Sequence, residues 1–265
     1  EIYTLSLHDA LPISMYRLKG NTAFFKQPDV NSYLYFTYGN IHKPALLGML
    51  GAVSGYKGYN QLALENVDKK EKKKTPEYYD KLKDLKFAIV PKNEKGYIPR
   101  KIQKFNNSVG YASKEQGGNL IVSEQWLENP EWEILMLLDS PEAEEAAQRI
   151  LDKRYVYLPY LGKNDHAADI DHASIVDLEE PKEKDKIRLA SLYPEKEAEL
   201  AKLSRKERKE NEGKKEFFYE ESLPIDIDPE NSQYKKSMQA LTNQPVDASK
   251  LKNVYTDGKD NYYFQ

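Results

Sequence analysis

The chain has 265 residues, 39% apolar and 31% charged, with no cysteine, four histidines and a formal net charge of -3. That length suits one elaborated domain or two small ones. No apolar run reaches the roughly 18–20 residues of a bilayer span, and the lack of cysteine excludes disulfides, thiolate nucleophiles and cysteine-ligated metals while fitting a reducing, cytoplasmic setting.

Residues 1–14 resemble the in-frame translation of a common short-read sequencing adapter, so the first domain is expected to begin at Met15, after a gene-assembly scar. Past that point the near-neutral total splits into opposed parts. Residues 15–120 hold 19 Lys+Arg against 9 Asp+Glu, and residues 121–265 hold 21 against 32. A basic half attracts a polyanion, and an acidic half neutralises it internally or faces a basic neighbour in an assembly.

In chain order, residues 16–25 alternate as a first strand and end at the turn Lys26-Gln27-Pro28-Asp29. An aromatic segment, 33–38, closes at Gly39-Asn40. Residues 42–53 predict a helix with Pro44 in its first turn and Gly55 at its end. Leu46, Leu50 and Val53 form its apolar face, while Gly48, Gly51 and Ala52 suit a helix pressed closely onto a sheet. Residues 68–86 read as a Lys-rich connection with a short helix near 76–82, and 87–90 as a buried strand stopped by Pro91. Between 97 and 125, two flanks around Gln116-Gly117-Gly118-Asn119 predict a projecting β-hairpin.

Residues 132–138 are a strongly apolar strand, followed by a helix over 142–153 with Ser140 as N-cap and a strand at 155–158. Residues 182–216 carry 21 charges in 35 positions and predict a solvated helical insertion with a weak seam at Leu200 and Leu203. A β-rich extension, 217–265, follows, with strands at 217–219 and 223–227 interrupted by Pro224 and a last edge strand at 262–264. The order β, α, β, hairpin, β, α, β predicts an α+β fold of ferredoxin-like (RRM-like) type over 15–180 with a hairpin thumb.

No Walker loop, nucleophile elbow, His-Glu-x-x-His or dinucleotide fingerprint is present. His166 and His172 lie six residues apart, about 20 Å along a strand at ~3.3 Å per residue, too far for one ion. Neither metal nor cofactor is expected.

Residues 36–55, Phe-Thr-Tyr-Gly-Asn-Ile-His-Lys-Pro-Ala-Leu-Leu-Gly-Met-Leu-Gly-Ala-Val-Ser-Gly, resemble the first-helix region of the CRISPR-associated Cas-five family, a branch of the repeat-associated RNA-binding superfamily. Residues 157–170, Tyr-Leu-Pro-Tyr-Leu-Gly-Lys-Asn-Asp-His-Ala-Ala-Asp-Ile, are similar to its second hallmark, although His166-Ala167 stands where the family more often has Phe-Pro. The resemblance implies a non-catalytic subunit of a type I CRISPR surveillance complex (Cascade) of subtype I-B. It implies capping of the 5′ handle of the guide RNA, and docking of backbone and large subunits. Target DNA near the adjacent motif is a further candidate contact.

The residues suit that task independently, because single-stranded RNA is held by cations on phosphates and by planar side chains on bases. Lys26, His42 and Lys43 form the leading phosphate site, beside a helix N-terminus. Arg100, Lys101, Lys104, Phe105, Asn106, Asn107 and Tyr111 interleave cations, amides and aromatics along the thumb. Gly162, Lys163 and Asn164 form a turn in which backbone amides approach RNA or simply connect strands, and Tyr38 stacks on a base or packs half-buried. Two alternatives remain. Tyr38, His42 and Lys43 have the chemistry of a metal-independent endoribonuclease, which relatives in one subtype are, and an unrelated ferredoxin-like interaction module fits the same element order.

Overall fold

In the first strand, β1 (Leu11–Lys19), Ser14, Tyr16 and Leu18 are buried on one face and Ile13 on the other. The strand is thus sandwiched, which its sequence alternation alone does not reveal. A computed structural model describes residues 11–29, 33–67, 70, 73–108, 110, 114–116, 118–204 and 215–265. Because β1 starts at Leu11, Met15 does not mark the edge of the fold. Leu11, Pro12 and Ile13, read above as scar, pair with Leu178, Asp177 and Val176, and Ile13 also pairs with Leu137. The strand ends at Lys19 rather than at Phe25, and Thr22–Ala23 form a separate strand, β2.

The chain continues through α1 (Lys43–Ser54), α2 (Tyr59–Glu65), α3 (Glu77–Leu82), β3 (Phe87–Pro91), β4 (Arg100–Asn106), β5 (Ile121–Glu128), β6 (Glu131–Leu137), α4 (Pro141–Leu151) and β7 (Asp169–Leu178). Four strands make an antiparallel sheet in the order β3-β6-β1-β7. With α1 after β1 and α4 after β6, the connectivity is strand, helix, strand, strand, helix, strand, an α+β unit. Ser140 caps α4, its hydroxyl accepting from Ala143 N–H at 3.2 Å. No helix among the described residues is long and apolar enough to cross a membrane.

The fourth strand is β7, not residues 155–158. Those residues bend past the end of α1, where the Val156 and Tyr157 N–H groups bond to the Val53 and Ala52 carbonyls. The signal in β7 is scrambled by a bulge. Its register on β1 shifts between Met15 and Arg17, and His172 sits at φ 50°. One extra residue swaps faces, so Ile170 joins the helix-side core while Leu178 joins the opposite one.

Helices cover one face of the sheet, where Leu46, Leu50, Ala147 and Ile150 pack on Tyr16, Phe87, Ile134 and Met136. The other face is also occupied. Tyr255, Tyr262 and Phe264 pack on Ile13, Ala88, Leu135 and Leu137. They belong to a C-terminal part made of β8 (Tyr193–Pro194), β9 (Glu199–Leu200), β10 (Phe218–Ile227), β11 (Tyr234–Thr242), β12 (Val246–Asp247), β13 (Val254–Thr256) and β14 (Asn261–Tyr263). Beyond the apolar cover, the same sheet face carries ion pairs from Arg17 and Lys19 to Glu131, Asp169 and Asp171. An RRM-like sheet surface open to bases is therefore absent among the described residues.

Of the helical insertion expected over 182–216, the described residues, 182–204 and 215–216, hold only a short 3-10 turn at Glu195–Glu197. Leu189, Leu192, Tyr193 and Ala198 are buried, and the segment adds short strands to β11 and β12. The charge density conceals this apolar run, in which Leu189, Tyr193 and Ala198 face Ala240, Val246 and Val254 while Leu192 joins the helix-side core. Residues 205–214 lie outside the described residues. Pro224 does not split the strand around it; β10 is continuous, with a register shift at Pro224/Asp226.

Candidate nucleic-acid interface

The segment before α1 is pinned by buried polar contacts. Asn40 accepts from Trp132 Nε1–H at 2.9 Å and donates to the Tyr219 hydroxyl at 2.8 Å, while the Gly39 N–H donates to Glu221 at 2.9 Å. His42 then caps α1, its Nδ1 accepting from Ala45 N–H at 3.3 Å. Its ring is 3% exposed, edge-on to Phe25, Tyr38 and Tyr234 at centroid distances of 5.8, 5.2 and 5.5 Å. Burial in this aromatic box pushes its pKa down to about 3.

The leading phosphate site accordingly does not assemble. His42 is neutral and buried, and the first turn of α1 offers little to an anion: Pro44 has no N–H and that of Ala45 is taken by His42. Lys43 lines a different groove, of about 550 Å³, together with Asp84 and Asp226. Burial there lowers its pKa, and the neighbouring carboxylates oppose the shift. Tyr38 is 2% exposed and packs rather than stacks on a ligand. With Tyr38 and His42 enclosed and Lys43 facing elsewhere, the three alternative catalytic side chains do not meet at an accessible point.

Neutral burial of His42 has a pH consequence. An unfolded histidine takes up a proton below about pH 6.5, whereas the folded one does so only near 3. The contribution is whole above pH 6.5 and shrinks as pH falls toward 3, by up to about 1.4 kcal/mol per pH unit. His42→Asn keeps an N-capping side chain and lacks this titration. In urea titrations between pH 7 and 5, the stability difference between wild type and variant is expected to narrow as pH falls; a constant difference would contradict a neutral buried ring.

Lys26 remains on the ligand side. Exposed, it stands 4.0 Å over the Tyr35 ring and lines a groove of about 470 Å³ beside α1. Phe24, Gly48, Met49, Tyr59, Tyr160 and Lys163 line the same groove. Gly162 explains how Lys163 arrives there. At φ 90° it lies against β2's continuation, where a Cβ would sit 1.9 Å from the Phe24 carbonyl oxygen. Its glycine is required by close packing, not by RNA approach. The turn is held by the Phe24 N–H donating to the Leu161 carbonyl at 3.1 Å. Asn164 is exposed beyond it.

Lys163 Nζ lies 5.6 Å from the Phe24 ring centroid and 5.5 Å from that of Phe105, linking the groove to the hairpin. Glu124 holds it at 3.0 Å and also accepts from Trp126 Nε1–H at 2.8 Å. Buried His166 closes this cluster, its Nδ1 2.7 Å from the Thr22 hydroxyl and its ring edge-on to Trp126 at 4.6 Å.

The hairpin is β4 paired with β5, and β5 in turn with β2. Strand alternation divides the thumb residues between two faces. Lys101 and Phe105 share a face with Trp126 and Glu124, toward Lys163; Lys101 pairs with Glu128 at 3.4 Å. Lys104 and Asn106 occupy the opposite, exposed face, and Arg100 reaches back to Glu221 at 3.6 Å. Asn106 Oδ1 accepts from Ser108 N–H, and the Asn107 N–H donates to the Leu120 carbonyl, so both serve the hairpin end. Tyr111 lies outside the described residues.

Sequence reasoning missed Trp126 and the tyrosines Tyr59, Tyr78, Tyr160 and Tyr234, because they come from five separate segments with no shared local pattern.

No protein-family model matches the chain, and no curated protein does. Among solved structures, a chain of a CRISPR RNA-guided surveillance complex is 13% identical, with 90% of each chain covered and a TM-score of 0.49. A CRISPR protein from Archaeoglobus fulgidus is 12% identical, covering 95% of this chain and 98% of its own, with a TM-score of 0.45. A chain of a type III-B Cmr-beta complex bound to cognate target RNA and AMPPnP is also similar, at 12% identity and a TM-score of 0.40, over 90% of this chain and 86% of its own.

Proposed function

We propose that this protein binds single-stranded RNA as a non-catalytic subunit of a type I CRISPR surveillance complex, of subtype I-B, capping the 5′ handle of the guide. One observation carries the reading. The two segments that resemble the Cas-five family, more than a hundred residues apart, meet at one groove: Gly48 from the first lines it together with Tyr160, Gly162 and Lys163 from the second. The groove and the adjoining hairpin face supply what a single strand needs, cations at Lys26, Lys163 and Lys101 and aromatic planes at Tyr160, Phe105 and Trp126. Lys104, Asn106 and the exposed Ile102 and Ile121 on the hairpin's opposite face are left for neighbouring backbone or large subunits.

A direct comparison tests this. With EDTA present, the full chain is expected to retain a short single-stranded RNA at least tenfold more tightly than a duplex of the same sequence, and to leave it intact. Equal retention of the duplex would contradict a stacking groove, and cleavage would contradict the non-catalytic assignment.

A further inference from the structure

We propose that the groove beside α1 holds one base turned out of the bound strand, its plane on the bare backbone at Gly48 and an acceptor on its edge bonded to His42 Nε2–H. This rests on the RNA-binding reading above and names what enters the groove.

The volume, about 470 Å³, falls in the roughly 300–1,000 Å³ range of small-molecule sites. Its floor is open for a reason that folding does not require. Glycine is unfavourable inside a helix, and Gly51 earns its place because a Cβ there would meet Tyr78 at 2.6 Å. At Gly48 a Cβ would meet nothing within 4 Å. The missing side chain leaves the helix backbone bare to the groove, which Tyr59 and Tyr160, 40% and 44% exposed, also line as aromatic surfaces on which a base stacks.

His42 supplies an independent observation. Its Nδ1 accepts from Ala45 N–H, so in the neutral ring the proton resides on Nε2. Among the described residues nothing accepts from that N–H, although the side chain is buried and the ring lines the groove. Unlike His166 Nε2, this atom is not fully enclosed but reaches the groove surface, so it can donate to a ligand there, and base edges present carbonyl and ring-nitrogen acceptors. A neutral donor suits a base edge rather than a phosphate. Lys26 and Lys163 line the same groove, as cations for the phosphates on either side of the extruded nucleotide.

The experiment uses the full chain and random-sequence eight-nucleotide RNA pools carrying 4-thiouridine at one position, cross-linked by ultraviolet light and mapped on peptides. Cross-links on the peptides bearing Tyr59 or Tyr160 are expected. Gly48→Leu, where a Cβ meets nothing within 4 Å, is expected to keep a cooperative thermal transition and to cut their yield at least tenfold while hairpin cross-links persist. His42→Asn is expected to cut it about three- to tenfold, as for one lost hydrogen bond. Cross-links confined to the hairpin, or a groove yield unmoved by Gly48→Leu, would overturn the base pocket and leave RNA binding standing. No RNA retained by wild type would overturn the functional reading beneath it.

Discussion

Gly162→Ala is expected to lower the stability of the chain by about 3 kcal/mol, with most of the loss arising where the Tyr160–Lys163 turn meets Phe24, just after β2. Two costs combine. An alanine held at φ 90° is strained by roughly 1–3 kcal/mol. Its Cβ would also lie 1.9 Å from the Phe24 carbonyl oxygen, a backbone atom that cannot swing aside. Relief requires the turn to withdraw, which breaks the Phe24 N–H to Leu161 carbonyl bond, a loss of about 1–3 kcal/mol for a buried donor. The same withdrawal takes Lys163 away from Phe24 and Phe105, so RNA affinity falls with stability. A urea titration measures the first effect, with Asn164→Ala, on the exposed neighbour, expected within about 0.5 kcal/mol of wild type. Equal midpoints for the two variants would mean that the turn does not pack on Phe24.

The helices and the strands of the central sheet differ in how far the sequence disclosed them. α1 and α4 are legible because each has a local signature: Pro44 and Gly55 bracket the first, and Ser140 caps the second. Phe87–Pro91 and Glu131–Leu137 are legible as apolar runs. β7 is not, because the bulge near His172 reverses its alternation and its exposed Asp169 and half-buried Asp171 serve ion pairs with Lys19 and Arg17. The buried positions between 189 and 194 are masked by the charges around them.

The candidate site divides in the same way. Lys26 and Lys163 were visible as cations beside family-like segments, and both line the groove. His42 and Lys43 were visible as residue types, but which way a side chain faces at a helix start depends on packing. His42 packs edge-on to Phe25 and Tyr38 with its ring lining the groove beside α1, and Lys43 turns outward to the groove containing Asp226. Of the groove's tyrosines, Tyr160 lies in a family-like segment but was not singled out as a contact, and Tyr59, Tyr78 and Tyr234 carry no local signal. What distinguishes the groove from the sheet's outer face is charge as much as shape. On the sheet face Arg17 and Lys19 are matched by carboxylates; in the groove Lys163 is held by Glu124, but Lys26 has no carboxylate partner among the described residues.

The salt dependence of RNA binding measures this distinction most directly. Each phosphate contact on a single strand adds about 0.7 to the slope of log affinity against log salt, roughly fivefold in affinity at 0.1 M. Lys26→Gln and Lys163→Gln together are expected to flatten the slope by about 1.4 and weaken binding roughly 25-fold at that salt. Lys43→Gln, in the other groove, is expected to leave the slope as it is. A slope unchanged by the first pair, or flattened by the Lys43 substitution, would contradict the assignment of the strand to the groove beside α1.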